Sequence, residues 1–301
     1  MRVAVLFHAN ERHGAQSYIV HSLARCWRED GHEVEYLFGI GRFVPADVVI
    51  VHVNLSVVPA GYVRFAARYP LALNARITDI RKSAISRNLV RPGSGWDGPV
   101  IVKSNLNYAG QPELALGGNW LEQRFAPWRK LVRRLPRLAR WEKPITQWQD
   151  YQVFDGVSRV PWGLRLSRKV VVERFRPELE DGLYHLRIYQ FLGDRFTCMR
   201  LASPSPVVKA QNSVRIEPVE PHAEILAWRE RLGIDYGKLD YVVSGSEVVL
   251  LDVNKTTGAS RHMADADLPA MRRHLAEGLY SYARGAAGSD NARGDGDVLH
   301  G

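Results

Sequence analysis

The sequence is poor in several things that would have fixed its class at once. It has two cysteines, Cys26 and Cys198, in 301 residues. They are too few and too far apart for a disulfide framework, which points to a reducing compartment. No stretch approaches the ~18 consecutive apolar residues of a membrane-spanning helix. The opening MRVAVLFHANER has an apolar run only from Val3 to Phe7, too short for a signal-peptide core, so the expected location is the cytoplasm. Cys-x-x-Cys, Gly-x-Ser-x-Gly and His-Glu-x-x-His are all missing, and there is no internal repeat. Lysine is scarce: 8 Lys stand against 33 Arg, so arginine is the ordinary surface cation of this chain.

Acidic residues are also short, with 32 Asp and Glu against 41 Lys and Arg, a net charge of +9. Such an excess invites a nucleic-acid or membrane-surface reading, but it is concentrated. Between Glu122 and Lys143 eight basic residues meet two acidic ones, which is +6 in 22 residues. The rest of the chain is close to neutral. In this segment Trp128, Leu131, Leu135 and Leu138 fall at helical spacing, with Phe125 and Trp141 roughly in line and a break at Pro136. A lid that recruits an anionic substrate or partner, a membrane or nucleic-acid patch, and a solvated face of a packed helix all remain open.

What is present is a globular composition, 46% hydrophobic and 24% charged, at a length that suits two domains of roughly 150 residues each. Val3–Phe7, His32–Phe38 and Asp47–Val53 read as strands, with helical spacing over Ser17–Trp27 and Tyr62–Arg68. Strands alternating with helices imply a parallel, Rossmann-like layer over 1–75. No Gly-x-Gly-x-x-Gly follows its first strand, and Gly39-Ile40-Gly41 reads as a turn, so no dinucleotide site is assigned. The fold class is therefore α/β in the α+β two-domain sense, with a second domain over 76–283. A strand at Leu71–Leu73 leads into a helix over Asp79–Leu89, then come strands Pro99–Lys103, Lys169–Phe175 and Leu186–Leu192. The basic helical insertion spans 115–145. A pair of strands, Lys238–Val243 and Glu247–Val253, precedes a last helix, Met271–Tyr282. Residues 284–301 lack apolar periodicity and read as a disordered tail.

The pair around Ser244-Gly245-Ser246 carries the chemistry. With the turn centred on Gly245, Asp240 lies opposite Leu250, and Asp252 and Asn254 share its face because side chains alternate with period two. Two neighbouring carboxylates and an amide oxygen suit a hard cation held jointly with phosphates. A half-exposed hairpin with one solvated face gives the same pattern. Upstream, Lys103 ends an apolar strand, Val172-Glu173-Arg174-Phe175 ends another, and His185-Leu186-Arg187 begins a third.

In this order the motifs resemble the ATP-grasp superfamily over 76–283, with the texture of ribosomal-protein glutamate ligases and glutathione-synthetase-like enzymes. The resemblance implies an ATP-grasp fold behind a small Rossmann-like domain. It also implies an ADP-forming ligation of a carboxylate to an amine through an acyl phosphate, with ATP and Mg²⁺. Lys82 and Lys103 would meet the phosphates, and the backbone of Arg174 and Phe175 the adenine edge. Glu173 would sit by the purine amino group, with Glu178 or Glu180 at the ribose. Asp240, Asp252 and Asn254 would hold Mg²⁺. Arg187 would face the γ-phosphate or the substrate carboxylate, with Lys209, Asn212 and Arg215 as weaker candidates. The substrates would be a small carboxylate and an amine, or a peptide or protein acceptor, with no nucleic acid required.

The chain departs from the pattern in four places. His185 stands where the family has aspartate, in the cofactor set. Asp252 replaces a glutamate, Lys255-Thr256-Thr257-Gly258 lacks the usual proline, and the phosphate-covering loop Ser104–Gln111 has only Gly110. An ATP-binding protein without ligation, a small-molecule kinase and a docking module through 122–143 are the other classes left open. Outside this set, His8, Asn10, Glu11 and His13 follow the first strand and could line an acceptor cleft, while His262, Asp265 and Asp267 read as a helix start rather than a metal site.

Overall fold

Four short parallel strands begin the architecture, and the two central segments, Val3–Phe7 and Val48–Val51, are apolar on both faces. β1 (Arg2–Phe7), β2 (Glu33–Phe38), β3 (Val48–Val51) and β4 (Leu71–Leu73) pair in the order β2-β1-β3-β4. In β1, Val3, Val5 and Phe7 pack on one side with Leu23 and Trp27 of the helix Ile19–Glu29. Ala4 and Leu6 pack on the other with Tyr62 and Phe65 of the helix Ala60–Ala66. Both faces are thus covered, as parallel sheets require. This computed structural model describes residues 1–11, 17–91, 93–116, 145, 147–258 and 268–282. His13, the basic segment 122–143, His262, Asp265, Asp267 and the tail 284–301 lie outside the described residues.

Two antiparallel sheets follow, which gives the α+β class expected. β5 (Val100–Ser104), β6 (Gln152–Phe154) and β7 (Val170–Arg174) pair in the order β6-β5-β7. The larger sheet is β11 (Arg215–Pro218), β10 (Arg195–Ser203), β9 (Leu183–Leu192), β12 (Tyr236–Ser244) and β13 (Glu247–Asn254), in that order. A short strand, β8 (Glu178–Glu180), also pairs with β9. The back of the large sheet, with Tyr189, Phe191, Leu239 and Tyr241, is covered by Ile225 and Trp228 of the helix Ala223–Leu232. Among the described residues, no helix is long and apolar enough to cross a membrane.

The parallel sheet and the large antiparallel sheet are stitched together through Asn74. Asn74 donates from Nδ2 to the Tyr236 carbonyl at 2.7 Å, and its Oδ1 accepts from the amides of Asp235 and Tyr236 at 2.9 and 3.0 Å. The last helix, Leu268–Glu277, returns onto the first one, with Trp27 Nε1 donating to the Ala276 carbonyl at 2.9 Å. Leu192 and Tyr236 therefore share a core with Val3 and Phe7. The helix expected over Asp79–Leu89 is only a turn, Lys82–Ile85. Its flanks are drawn into extended pairing instead: Ile80 N–H donates to the Ser56 carbonyl, and Val90 N–H to that of Val172, each at 2.8 Å.

Candidate functional site

Between the small sheet and the front of the large one lies a cavity of about 1040 Å³. Its floor is apolar, made by Ile188, Met199, Leu201, Val242 and Leu251 from the large sheet with Ile216 at its edge. Its polar lining is unbalanced: seven Lys and Arg side chains face two carboxylates, Asp240 and Asp252. An apolar slot beside an excess of positive charge suits a flat, partly apolar ligand with an anionic tail.

Those carboxylates reach one face through a register shift that the sequence does not announce. Ser244 pairs with Glu247 and Tyr241 with Leu250 across a tight turn in which Gly245 has φ 61°. Continued unchanged, this register would put Asp240 opposite Leu251 and turn Asp252 to the other side. A bulge between Asp240 and Tyr241 shifts the pairing by one residue, so Asp240 faces Asp252 directly, and Lys238 faces Asn254. The expected pairing of Asp240 with Leu250 is corrected, while the common face survives because the bulge restores the parity. Bulges often aim side chains beside active sites.

Lysines, one buried and two partly buried, hold these carboxylates. Lys82 Nζ lies 3.0 Å from Asp252, and Lys238 Nζ lies 2.6 Å from Asp240, with Lys209 Nζ at 3.9 Å from its other oxygen. Burial opposes the charge on Lys82, but Asp252, with Tyr151 and Glu173, outweighs it and raises the lysine pKa. Burial likewise works against ionised Asp252, yet Lys82, Lys209 and Lys238 together hold its pKa down. Asn254 accepts at Oδ1 from the Thr256 amide and donates from Nδ2 to the Tyr108 hydroxyl, both at 2.9 Å. Among the described residues no group of three or more His, Cys, Asp or Glu is placed to hold a metal. The oxygen set here is two carboxylates and an amide.

The opposite wall is the small sheet. Glu173 pairs across from Ile101, so it shares the face on which Ile101 and Lys103 line the cavity. Lys103 Nζ meets Glu173 Oε2 at 2.8 Å. Glu173 is 2% exposed, and its Oε1 has no hydrogen-bond partner. At the hinge both amides are already used, Arg174 N–H by the Asn88 carbonyl at 2.8 Å and Phe175 N–H by that of Pro99 at 2.9 Å. A base edge meeting this backbone must therefore find carbonyls rather than these N–H groups. The Arg174 and Arg176 guanidiniums each lie 5.2 Å from the Trp96 ring.

Three candidates are placed elsewhere. In β9 the cavity is lined by Leu186, Ile188 and Gln190, and Arg187 alternates with them, in phase with Tyr189 and Phe191 on the back. There Glu178 accepts from Arg187 Nη2 at 2.9 Å, from Arg200 Nε at 2.9 Å and from the Val243 amide at 2.8 Å. Glu180 is exposed and tied to Arg200. None of Arg187, Glu178 and Glu180, expected at the nucleotide, lines the cavity; this network engages the charged groups of all three. His185 does line it, with neither ring nitrogen partnered. Of the weaker candidates Lys209 lines the cavity, whereas Asn212 and Arg215 do not.

Lys238 was missed, although its period-two phase with Asp240 was visible. Lysine scarcity was the stronger signal: of six described lysines, four line this cavity. A fifth, Lys255, is fully buried beside Asn254 with its Nζ unpartnered. Burial pushes its pKa down to about 7, against the pull of Asp79 and Glu113. Lys255→Met should raise stability by about 1–2 kcal/mol, since an unpartnered buried amine is replaced by an apolar chain of similar length. Thermal melts at pH 8 check this, and an unchanged or lower melting temperature would contradict it.

No protein-family model matches the sequence, and no curated protein matches it. Solved structures do. A D-alanine–D-alanine ligase from Bacillus anthracis is similar at 13% identity over 98% of this chain and 100% of that one, with a TM-score of 0.48. A RimK domain protein ATP-grasp from Sphaerobacter thermophilus gives 14% identity, 93% and 99% coverage and a TM-score of 0.46. A RiPP-associated ATP-grasp ligase from Chryseobacterium gregarium, in complex with ADP and a leader and core peptide, gives 11% identity, 92% and 95% coverage and 0.41. At such identities and TM-scores the functional reading has to stand on the side chains themselves.

Proposed function

We propose that this chain is an ATP- and Mg²⁺-dependent ligase that joins a carboxylate to an amine through an acyl phosphate. The observation that carries the reading is the facing of Asp240 and Asp252 within a lysine-rich cavity, opposite a wall carrying Lys103 and Glu173. The residues fit the metal: Mg²⁺ prefers hard oxygen ligands, and commonly takes one or two carboxylates and completes its shell with water and phosphates. Asp240, Asp252 and the amide of Asn254 would hold it. Bound there, the ion would neutralise phosphate charge and polarise the transferred group.

The chain's own residues supply the remainder. Lys82 and Lys103 would pair with phosphate oxygens, each as a compact point charge. Lys238 and Lys209, flanking Asp240, would stabilise the charge developing as a substrate carboxylate oxygen bonds to the γ-phosphorus and ADP departs. The amine nitrogen then bonds to the acyl carbon, inorganic phosphate leaves with its electron pair, and the nitrogen loses a proton. No side chain has to act as a covalent nucleophile. The buried, unpartnered Glu173 Oε1 suits an exocyclic amino donor, which favours adenine over a base carrying a carbonyl at that position.

The test is ADP release against a panel of carboxylic acids and amines. It is expected to require Mg²⁺, an acid and an amine together, and to yield one amide per ADP. A phosphorylated product without a ligated one would make the protein a kinase. ATP binding with no turnover across the panel would count against catalysis.

A further inference from the structure

The segment that follows Lys103 holds a feature the ligase reading does not use. Tyr108, Ala109 and Gly110 are three successive residues in the left-handed region, with φ of 45°, 55° and 77°. Two of them carry a Cβ, which disfavours this conformation. The turn is held at its base, where Asn107 N–H donates to Ser56 Oγ at 2.9 Å and Tyr108 N–H to Asn107 Oδ1 at 3.0 Å. At its tip, among the described residues, the Tyr108 side chain is held by the bond from Asn254 Nδ2 to its hydroxyl at 2.9 Å. Tyr108 lines the cavity and is 49% exposed, so its ring is not fixed by a core of its own.

The contact also sets the direction of the Asn254 amide. Only an amide oxygen can accept from the Thr256 N–H, so Oδ1 is committed to that side, where the Thr256 hydroxyl also lies at 3.4 Å. What Asn254 offers to Tyr108 is therefore its NH₂, a donor that repels a cation. Offering oxygen to a metal ion on that side requires the amide to turn, which ends the Nδ2 donation to Tyr108 and withdraws Oδ1 from the Thr256 amide.

We propose that Tyr108 is a latch on the nucleotide cavity: its hold on Asn254 and the engagement of Asn254 by metal–nucleotide exclude one another. Binding releases the tip of the turn and lets Tyr108 and Ala109 leave the left-handed region. The latch rests on the nucleotide reading above and adds a residue that opposes binding rather than contributing to it.

The experiment is calorimetric titration of wild type, Tyr108→Phe and Tyr108→Gly with ATP, with and without Mg²⁺. Tyr108→Phe keeps the ring and removes the hydroxyl. It should bind Mg²⁺-ATP about 3- to 10-fold more tightly, the worth of one ordinary hydrogen bond, and metal-free ATP within about twofold of wild type. Tyr108→Gly suits the left-handed turn without a ring and should tighten Mg²⁺-ATP at least as much, which covers a failure of the first variant to fold. Unchanged or weaker Mg²⁺-ATP binding by the folded variants would overturn the latch, as would equal tightening without metal. Failure of all three proteins to bind ATP rejects the nucleotide reading and the latch with it. Binding without difference rejects the latch alone.

Discussion

Lys103→Met is expected to weaken ATP binding about 10- to 100-fold, the loss of one charge-assisted contact of roughly 1.5–3 kcal/mol. The same change leaves Glu173 buried and unpaired, because Lys103 is its ion-pair partner at 2.8 Å. Breaking a buried pair from one side costs about 3–5 kcal/mol of stability, whereas removing both charges is close to neutral. The double variant Lys103→Met/Glu173→Gln should therefore melt near wild type while still binding ATP poorly. Thermal melts and calorimetric titration of the three proteins separate the two roles. A double variant that recovers both stability and affinity would mean Lys103 does nothing for the nucleotide beyond holding Glu173.

Glu178→Ala should be the most damaging single change to stability away from the cavity. It leaves the Arg187 guanidinium without its carboxylate, takes one of three carboxylate partners from Arg200, and leaves the Val243 amide without its acceptor. The expected loss is about 3–5 kcal/mol, read by urea titration, and ATP affinity of the folded fraction should be unchanged. Burial works against ionised Glu178, but Arg187, the Val243 amide and Arg200 outweigh it, so its pKa is held below the ordinary carboxylate range. A carboxyl with a depressed folded pKa contributes stability that is fully present above its unfolded pKa of about 4.3. That stability is lost as pH falls through the folded pKa. Wild type should thus lose stability relative to Glu178→Ala on acidification below about pH 4. Parallel pH profiles for the two proteins would contradict this.

These two residues show how much of the site was legible. Faces were readable wherever period two held: Val3, Val5 and Phe7 divide cleanly from Ala4 and Leu6, and Asp240, Asp252 and Asn254 do share a side. The same rule, applied to β9, puts Arg187 in phase with Tyr189 and Phe191 rather than with Ile188, so its removal from the cavity was available to the sequence and was overridden by motif order. The bulge beside Asp240 was not available, since no local residue type demands it and its effect is only to restore a parity. Nor was the pairing of Lys82 with Asp252 across 170 positions. Long-range charge pairing depends on how sheets stack, and spacing along the chain carries no trace of it. The turn at Lys82–Ile85 was overestimated as a helix because its extended flanks are set by partners in β7 and in the segment after β3.

The account turns on where a nucleotide sits. A crystal structure with a non-hydrolysable ATP analogue and Mg²⁺ tests it most directly. The phosphates are expected against Lys82 and Lys103, the metal ion against Asp240, Asp252 and Asn254, and the exocyclic amine of the base at Glu173 Oε1. A nucleotide bound outside this cavity, or lying in it with its phosphates over Ile188 and Met199 and its base among the lysines, would contradict the assignment.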